Sequence, residues 1–216
     1  MKVLGIIPAR AGSKRLHNKN TAELGGLPLW RHALKHAEAS GVIAATVLST
    51  NDAAIKASSM DVWTIDRPEE LARDDTEMLP VIRHAVDEVH RLTQPLFEAV
   101  CILQPTSPFR TGADIAACVR IMCETGARSV VSVFDGPDDL AFVVRHANRL
   151  ERLPHILVPN GAIYLLTVEA LNSGEGWYGD HAYGYKMPRD RSLDINVSFD
   201  LEVARLQWEK MHAVHE

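Results

Sequence analysis

Residues 3–20 have the sequence VLGIIPARAGSKRLHNKN, and this stretch decides the fold. It begins with an apolar run at 3–7, partly β-branched and closed by a proline, which predicts a short buried strand. A loop with four cations follows before the first carboxylate of the chain, Glu23; these cations are Arg10, Lys14, Arg15 and Lys19. A strand that leads directly into a charged loop is typical of the ligand edge of an α/β sheet.

The loop at residues 9–20, here called the basic loop, predicts an anion-binding site. Its cations have no carboxylate nearby in the sequence, so we expect a local positive field in a chain whose net charge is −5. Gly12 permits close approach of the backbone, Ser13 offers a hydroxyl, and amides after a strand can form a concave nest for phosphate oxygens. A polyphosphate is therefore the predicted ligand, and the alternative is a basic loop that is only a solvated surface.

The spacing within the basic loop excludes two common classes of nucleotide-binding protein. It lacks the G-x-x-x-x-G-K-[ST] pattern of P-loop ATPases and the G-x-G-x-x-G pattern of dinucleotide dehydrogenases. A nucleic-acid partner is also unexpected, because such proteins usually carry an extended basic face rather than one basic loop.

Composition predicts a single soluble domain over residues 1–216, with 46% hydrophobic and 24% charged residues. No apolar stretch approaches the ~18 residues of a membrane helix, so no membrane partner is expected. The chain starts without a signal-peptide pattern, which predicts a cytoplasmic location.

Three cysteines, without a C-x-x-C pair, predict reduced and buried thiols: Cys101, Cys118 and Cys123. His32 and His36 have a spacing that could hold a metal, but we expect surface histidines.

Alternating apolar and helix-period segments predict a mostly parallel open α/β sheet with helices on both faces. The predicted strands are 3–7, 45–48, 100–103 and 129–133, and the predicted helices are 29–39, 78–92 and 113–123. Gly41 and Gly126 should end helices, and Thr111 or Gly112 should open one. Motif residues then fall at the carboxyl ends of strands.

The second half is less regular, with glycines that predict short strands and loops around residues 162–166. Ser198 is the predicted cap of a final helix at 199–211. We expect residues 1–133 to hold the nucleotide part and residues 134–216 to hold the acceptor and metal part.

Six motifs run along nearly the whole chain in one order: Ile6-Ile7-Pro8-Ala9-Arg10-Ala11-Gly12-Ser13-Lys14-Arg15 with Asn18-Lys19-Asn20, Leu48-Ser49-Thr50-Asn51-Asp52, Asp66-Arg67-Pro68-Glu69-Glu70-Leu71-Ala72, Leu103-Gln104-Pro105-Thr106-Ser107-Pro108-Phe109-Arg110, Pro159-Asn160-Gly161-Ala162-Ile163-Tyr164 and Ser192-Leu193-Asp194-Ile195-Asn196. Together these motifs resemble those of the acylneuraminate cytidylyltransferases, the CMP-sialic acid synthetases. The related CMP-Kdo synthetases are less similar, since their opening loop usually has Tyr-Gly-Ser-Thr-Arg.

The resemblance implies a Rossmann-like nucleotidyltransferase fold, similar to that of glycosyltransferase A. It also implies an enzyme that joins CMP from CTP to a sialic-acid-like 2-keto-3-deoxy sugar acid. Arg10 and Lys19 are implied to be catalytic, through the leaving pyrophosphate. The nucleotide-binding residues implied by the family pattern are Arg10, Gly12, Ser13, Lys14, Asn20, Arg67 and Gln104. Gln104 is also implied to reach the sugar; its alternative role is a loop amide that satisfies backbone groups.

On the acceptor side the resemblance implies contacts from Gln104, Asn160, Tyr164, Trp177 and Tyr178. The pair Trp177 and Tyr178 has a simpler alternative, a small satellite core. Asp194 and Asn196 alternate with apolar residues, so on a strand their oxygens share one face and can hold Mg²⁺. The family has aspartate where this chain has Asn196, so tight metal binding is an open question.

Two further departures concern the acceptor. The segment 134–158 is shorter than the corresponding family segment, which helps to form the sugar pocket and the dimer. The identity of the sugar and the homodimer that the resemblance implies therefore stay open. Val158 also replaces a family arginine. We therefore keep two alternative hypotheses. One is the same fold acting on another nucleotide or on a smaller acid or phosphonate. The other is a catalytically weak nucleotide-binding relative.

Overall fold

The computed structural model describes residues 1–93, 96–136, 142–144, 150–152 and 156–213. Its strands are β1 (Val3–Pro8), β2 (Glu23–Leu24), β3 (Leu27–Pro28), β4 (Ile43–Thr50), β5 (Trp63–Asp66), β6 (Ala99–Ile102), β7 (Ser129–Asp135), β8 (Phe142–Val144), β9 (Leu150–Arg152), β10 (Leu157–Thr167) and β11 (Ala182–Lys186). Its α-helices are α1 (Leu29–Ser40), α2 (Ala53–Ser58), α3 (Met78–Leu92), α4 (Gly112–Thr125), α5 (Val168–Ser173) and α6 (Ser198–His212).

A seven-stranded sheet in the order β11-β7-β10-β6-β1-β4-β5 organises the molecule. Strands β6, β1, β4 and β5 pair in parallel, whereas β10 is antiparallel to both β6 and β7. The chain leaves β1 toward β4 and β5 and then returns to the other side of β1 at β6. This reversal makes the carboxyl end of β1 a topological switch point, where open α/β sheets bind ligands.

Side chains of the central strands alternate between two cores, one on each face of the sheet. Val3 and Ile7 pack in the cluster that contains residues of α1 and α4. Leu4 and Ile6 point the opposite way, into the cluster with residues of α3 and α5. Successive side chains of a strand point to opposite faces, so each face of the sheet is covered by its own helices. This arrangement confirms the predicted fold class, a mostly parallel sheet with helices on both faces.

The helix ends confirm several sequence predictions and correct one. Gly41 and Gly126 follow their helices with φ of 67° and 69°, the left-handed conformation that glycine adopts without steric cost. Thr111 caps α4 and forms a capping box with Asp114. Ser198 does not cap α6 as predicted; the Asp200 carboxylate instead accepts hydrogen bonds from the backbone N–H groups of residues 196 and 197, at 2.7 and 2.9 Å.

The second half is more ordered than the sequence suggested. Residues 162–166 belong to the 11-residue strand β10, which joins β6 to β7. Strand β11 was not predicted and adds a parallel edge to the sheet. Strands from both predicted parts, 1–133 and 134–216, thus pair in one sheet. Within the shortened segment 134–158, residues 137–141, 145–149 and 153–155 lie outside the described residues.

The predicted surface position of the histidines is wrong. His32 is buried, with its Nε2–H donating to the Leu24 carbonyl at 2.8 Å and its ring 4.9 Å from the Trp208 ring. Burial lowers the pKa of the partly buried His36 to about 3, which keeps it neutral. The two residues share a face of α1, and α6 packs its Trp208 against that face, a long-range contact that local spacing does not reveal.

The prediction of buried thiols holds for Cys101 and Cys118, whereas Cys123 is exposed. Burial raises the pKa of Cys101 to about 12, so its thiol stays protonated and unreactive. None of the helices within the described ranges is both long and apolar enough to cross a membrane.

Candidate active site

The carboxyl edge of the parallel strands gathers the predicted nucleotide motifs. The basic loop leaves β1, Asn51 follows β4, Arg67 follows β5 and Gln104 lies two residues beyond β6. Because these strands are parallel neighbours, their carboxyl ends meet at one edge. The prediction that motif residues fall at this edge is confirmed.

Two adjoining cavities open at this edge and share Arg10, Ser13 and Lys19. The smaller cavity has a volume of about 150 Å³ and is lined by Pro8, Arg10, Ser13, Lys19, Asn20, Arg67, Met78, Gln104, Pro105 and Thr106. The larger has a volume of about 370 Å³ and is lined by Arg10, Ser13, Lys14, Arg15, Leu16, Lys19, Asp74 and Asn196. The structure therefore brings together the side chains predicted to bind the nucleotide.

The basic loop is held in shape by polar contacts to its backbone. The Ala11 amide donates to Asn51 Oδ1 at 2.9 Å, and Asn20 Nδ2 donates to the Arg10 carbonyl at 2.9 Å. Gly12 has a φ of 72°, which is unfavourable for residues with a Cβ. These contacts assign Asn20 a structural function in addition to its predicted nucleotide contact.

The cations of the basic loop are not without a counter-charge, and this corrects the expectation from local sequence. Asp74 forms ion pairs with Arg10 and with Lys14, the latter at 2.6 Å. Hydrogen bonds from Lys14 and Arg10 lower the pKa of the Asp74 carboxyl. Asp74 lies more than 50 residues beyond the loop, so a search for neighbouring carboxylates in the sequence could not identify it.

Lys19 and Arg67 carry charge in the least solvated part of the site. Burial lowers the pKa of Lys19 from its usual value, and the nearby Asp194 carboxylate opposes that shift. Arg67 is buried, and its guanidinium donates to the Ser49 carbonyl at 2.9 Å and to Ser49 Oγ at 3.2 Å. Burial, with a contribution from Arg10, lowers the pKa of Arg67 to about 10, and it remains a cation at neutral pH.

Gln104 is positioned by a buried arginine that the sequence analysis did not single out. Arg110 is fully buried and donates to the Gln104 carbonyl at 2.8 Å and to the Ala162 carbonyl at 2.7 Å. It thereby joins the loop after β6 to β10. Gln104 itself lines the smaller cavity.

Asp194 and Asn196 lie side by side, although not on a strand as expected. They belong to an irregular segment before α6, in which the intervening Ile195 is buried and its amide donates to the Thr106 carbonyl at 2.8 Å. Asn196 Nδ2 donates to Asp194 Oδ2 at 2.7 Å, and Arg15 Nη2 donates to Asn196 Oδ1 at 3.2 Å. Asp194 Oδ1 is buried without a hydrogen-bond donor among the described residues.

Asn160 is committed to internal hydrogen bonds. Its Oδ1 accepts from Ser132 Oγ at 2.6 Å and from the Ala162 amide at 3.1 Å, and its Nδ2 donates to Ser192 Oγ at 2.9 Å. These bonds tie β7, β10 and the segment leading to Asp194 into one network. The acceptor contact predicted for Asn160 stays a prediction, and the observed bonds give it a positioning function.

The aromatic residues of the acceptor part have different environments. The rings of Tyr164 and Trp177 lie 5.2 Å apart, and both pack against the core cluster below α3 and α5. Burial raises the pKa of Tyr164 to about 12. Tyr178 is 65% exposed. Trp177 thus packs on one of the two main cores rather than forming a separate satellite core with Tyr178, while sugar binding by this pair stays a prediction.

Two proteins of named activity are similar to this chain in sequence. A CMP-N,N'-diacetyllegionaminic acid synthase from Legionella pneumophila is 41% identical over 93% of this chain and 93% of its own length. An N-acylneuraminate cytidylyltransferase from Escherichia coli is 28% identical over 94% of this chain, which spans 51% of that relative.

Similarity in fold extends to solved structures. A CMP:2-keto-3-deoxy-manno-octonic acid synthetase solved in complex with CTP has a TM-score of 0.71 at 16% identity, covering 98% of this chain and 100% of the other. A family model described as cytidylyltransferase matches residues 4–149. With its motifs gathered at the switch point of the sheet, the chain belongs to the cytidylyltransferase family.

Proposed function

We propose that this protein transfers CMP from CTP to the anomeric hydroxyl of a sialic-acid-like 2-keto-3-deoxy sugar acid and releases pyrophosphate. The observation that carries the proposal is the pair of cavities at the end of β1, where Arg10, Ser13 and Lys19 line both. The name of the Legionella relative supports a nonulosonic acid as the acceptor, and the structure solved with CTP supports the nucleotide. A cytoplasmic location and a homodimer are parts of the same proposal.

The reaction is an in-line displacement at the α-phosphorus. The sugar hydroxyl oxygen forms a bond to the α-phosphorus and gives up its proton to solvent, while the bond between the α-phosphorus and the bridging oxygen breaks and pyrophosphate leaves with that oxygen. Little covalent chemistry is required of the protein, so positioning and stabilisation of the leaving group supply the catalysis. In this proposal Lys19 and Arg10, which line both cavities, stabilise the negative charge that develops on pyrophosphate, and partial burial strengthens the interaction.

Arg67 and Gln104 complete the nucleotide part from the ends of β5 and β6, the two strands that flank β1 and β4 in the sheet. Arg67 uses part of its guanidinium to bond Ser49, which fixes the orientation of the group in the cleft. The backbone of Gln104 is fixed by Arg110, which leaves the side chain at the boundary with the acceptor part. Groups fixed in advance lose little entropy when substrates bind.

Asp194 and Asn196 fit the requirements of a magnesium site. Magnesium takes oxygen ligands, keeps several waters and needs only one or two carboxylates from the protein. Asp194 Oδ1, which has no hydrogen-bond donor among the described residues, would be such a ligand, and the neighbouring Asn196 Oδ1, which Arg15 also contacts, would add a neutral oxygen. When bound, Mg²⁺ would neutralise charge on the phosphate oxygens. Lys19 lies close enough to Asp194 for the two charges to interact.

The proposal is tested by measuring pyrophosphate release and nucleotide affinity. Purified protein is titrated calorimetrically with CTP, UTP, ATP and GTP, and pyrophosphate release is then followed with sialic, legionaminic and pseudaminic acids and with simpler keto acids. We expect CTP to bind most tightly and release to require a nonulosonic acid. Tight CTP binding without release for any acceptor would favour a nucleotide-binding protein, and preference for another nucleotide would contradict the proposal.

The asparagine at position 196 leads to a prediction about metal dependence. Asn196→Asp should lower the magnesium concentration that gives half-maximal activity about fivefold, since an added charge interaction of about 1 kcal/mol corresponds to that ratio. Arg15, which contacts Asn196, will also attract the new carboxylate and limits the gain. The measurement is a magnesium titration of pyrophosphate release at saturating CTP.

Asn196→Gln serves as the matched control for this experiment. It keeps the neutral amide and should not strengthen metal binding. An unchanged magnesium dependence in Asn196→Asp would mean that this side chain does not face the metal.

A further inference from the structure

Asp74 connects two parts of the site that are far apart in sequence. It lies in the turn between the short helical segment Glu69–Leu71 and α3. One carboxylate oxygen pairs with Arg10 and the other pairs with Lys14. The Asp74 side chain is 37% exposed and that of Lys14 is 82% exposed, so the contact lies at the mouth of the larger cavity, which both residues line.

The scaffold around Asp74 places its carboxylate at this position. Arg67, just before the turn, is anchored by its bonds to Ser49. Asn51 joins the basic loop to the segment that precedes Asp74. Its Oδ1 accepts from the Ala11 amide, and its Nδ2 donates to Glu69 Oε1 at 3.2 Å. The turn that carries Asp74 is therefore tied to the same loop whose cations it neutralises.

The pairing has a cost for any phosphate ligand. Arg10 and Lys14 are two of the cations proposed to receive the triphosphate, and a carboxylate between them repels a phosphate chain that enters the same cavity. A ligand that uses both cations must break or share the two ion pairs. The same carboxylate offsets the mutual repulsion of Arg10 and Lys14.

We infer that Asp74 is an internal counter-anion that the phosphate chain of the nucleotide displaces from Arg10 and Lys14, so that it sets the affinity of the site for polyphosphates. This inference rests on the proposed function. Ligands that reach both cations compete with Asp74, whereas ligands without phosphates do not. Asp74 thereby weakens the binding of pyrophosphate, the proposed product, and so favours its release.

The test uses inorganic pyrophosphate and cytidine as probes of the whole protein. Asp74→Asn should bind pyrophosphate about three- to tenfold more tightly than the unmodified protein, the range expected from two exposed ion pairs. Cytidine affinity should stay unchanged. Isothermal titration at one ionic strength measures both ligands, and product inhibition by pyrophosphate should strengthen by a similar factor.

Two variants serve as controls. Asp75→Asn removes the same charge from the adjacent position, which forms no ion pair among the described residues and acts on Lys14 only at longer range, so it should change pyrophosphate affinity much less than Asp74→Asn does. Asp74→Glu keeps the carboxylate and should resemble the unmodified protein. In a Lys14→Ala background the gain from Asp74→Asn should shrink, because one of the two competing pairs is absent.

The outcomes separate this inference from the proposed function. Equal or weaker pyrophosphate binding by a folded Asp74→Asn protein, while the unmodified protein binds CTP, would overturn the inference alone; it would mean that Asp74 only holds the cations in place. If the unmodified protein bound neither pyrophosphate nor CTP, both the inference and the proposed function would be wrong.

Discussion

Replacement of Lys19 by alanine is expected to lower kcat for pyrophosphate release about 100- to 1,000-fold, which corresponds to losing about 2.7 to 4 kcal/mol of transition-state stabilisation from one preorganised donor. Lys19, like Arg10, is a partly buried cation of the basic loop, and burial lowers its pKa. Charge that develops on the leaving pyrophosphate near this ammonium is poorly screened by water. The affinity for CTP should fall much less than kcat.

Lys14→Ala is the matched control for this experiment. It removes the same charge from the same loop, but Lys14 is 82% exposed and solvent screens its interactions. Its effect should appear mainly in KM for CTP. Lys19→Arg should restore part of the rate, because it keeps the charge. Near-normal turnover in Lys19→Ala would show that another group stabilises the leaving group.

The fold could be predicted from the sequence because local patterns dominate its first half. The run at 3–7 became β1, the helix predicted at 78–92 is α3 with the same ends, and Gly41 ends α1 in the left-handed conformation. These features depend on apolar periodicity and on glycine geometry, both of which act over a few residues. The second half was less predictable, since β10 and β11 owe their existence to pairing with β7.

The candidate site was predictable at the level of residues but not at the level of contacts. The sequence identified the basic loop, and the structure adds Asp74 and Arg110, each of which has a partner more than 50 residues away. Contacts of this kind arise when a parallel sheet brings distant strand ends together. The same limitation explains His32, whose burial depends on Trp208 in the last helix.

Some residues predicted to touch substrates have structural partners in the protein. Asn160 is the clearest case, because its amide joins Ser132, the Ala162 backbone and Ser192. A sequence motif does not distinguish a residue that binds a ligand from one that orients the strand beside it. Asn160 lies next to Gly161, and a Cβ built at Gly161 would lie 3.7 Å from the Asp194 carboxyl carbon. The network therefore supports the segment proposed to hold the metal.

Asp194→Asn is expected to lower activity at least about 100-fold at any magnesium concentration, since charge stabilisation by a catalytic metal is worth several kcal/mol. Asp194 is the one carboxylate of the proposed metal pair, and its Oδ1 is buried without a donor from the part of the chain that the structure describes. The amide keeps the shape of the side chain but removes the negative charge that attracts a dication. The protein should still bind CTP when magnesium is omitted.

The metal itself provides a readout that does not depend on turnover. Titration of Mg²⁺ in the presence of CTP, followed by calorimetry, should show weakened metal binding in Asp194→Asn. Asp190→Asn removes an exposed carboxylate four residues earlier and should keep both metal binding and activity. If Asp194→Asn lost activity but bound Mg²⁺ normally, Asp194 would act on Lys19 rather than on the metal, because these two charges interact in the folded protein.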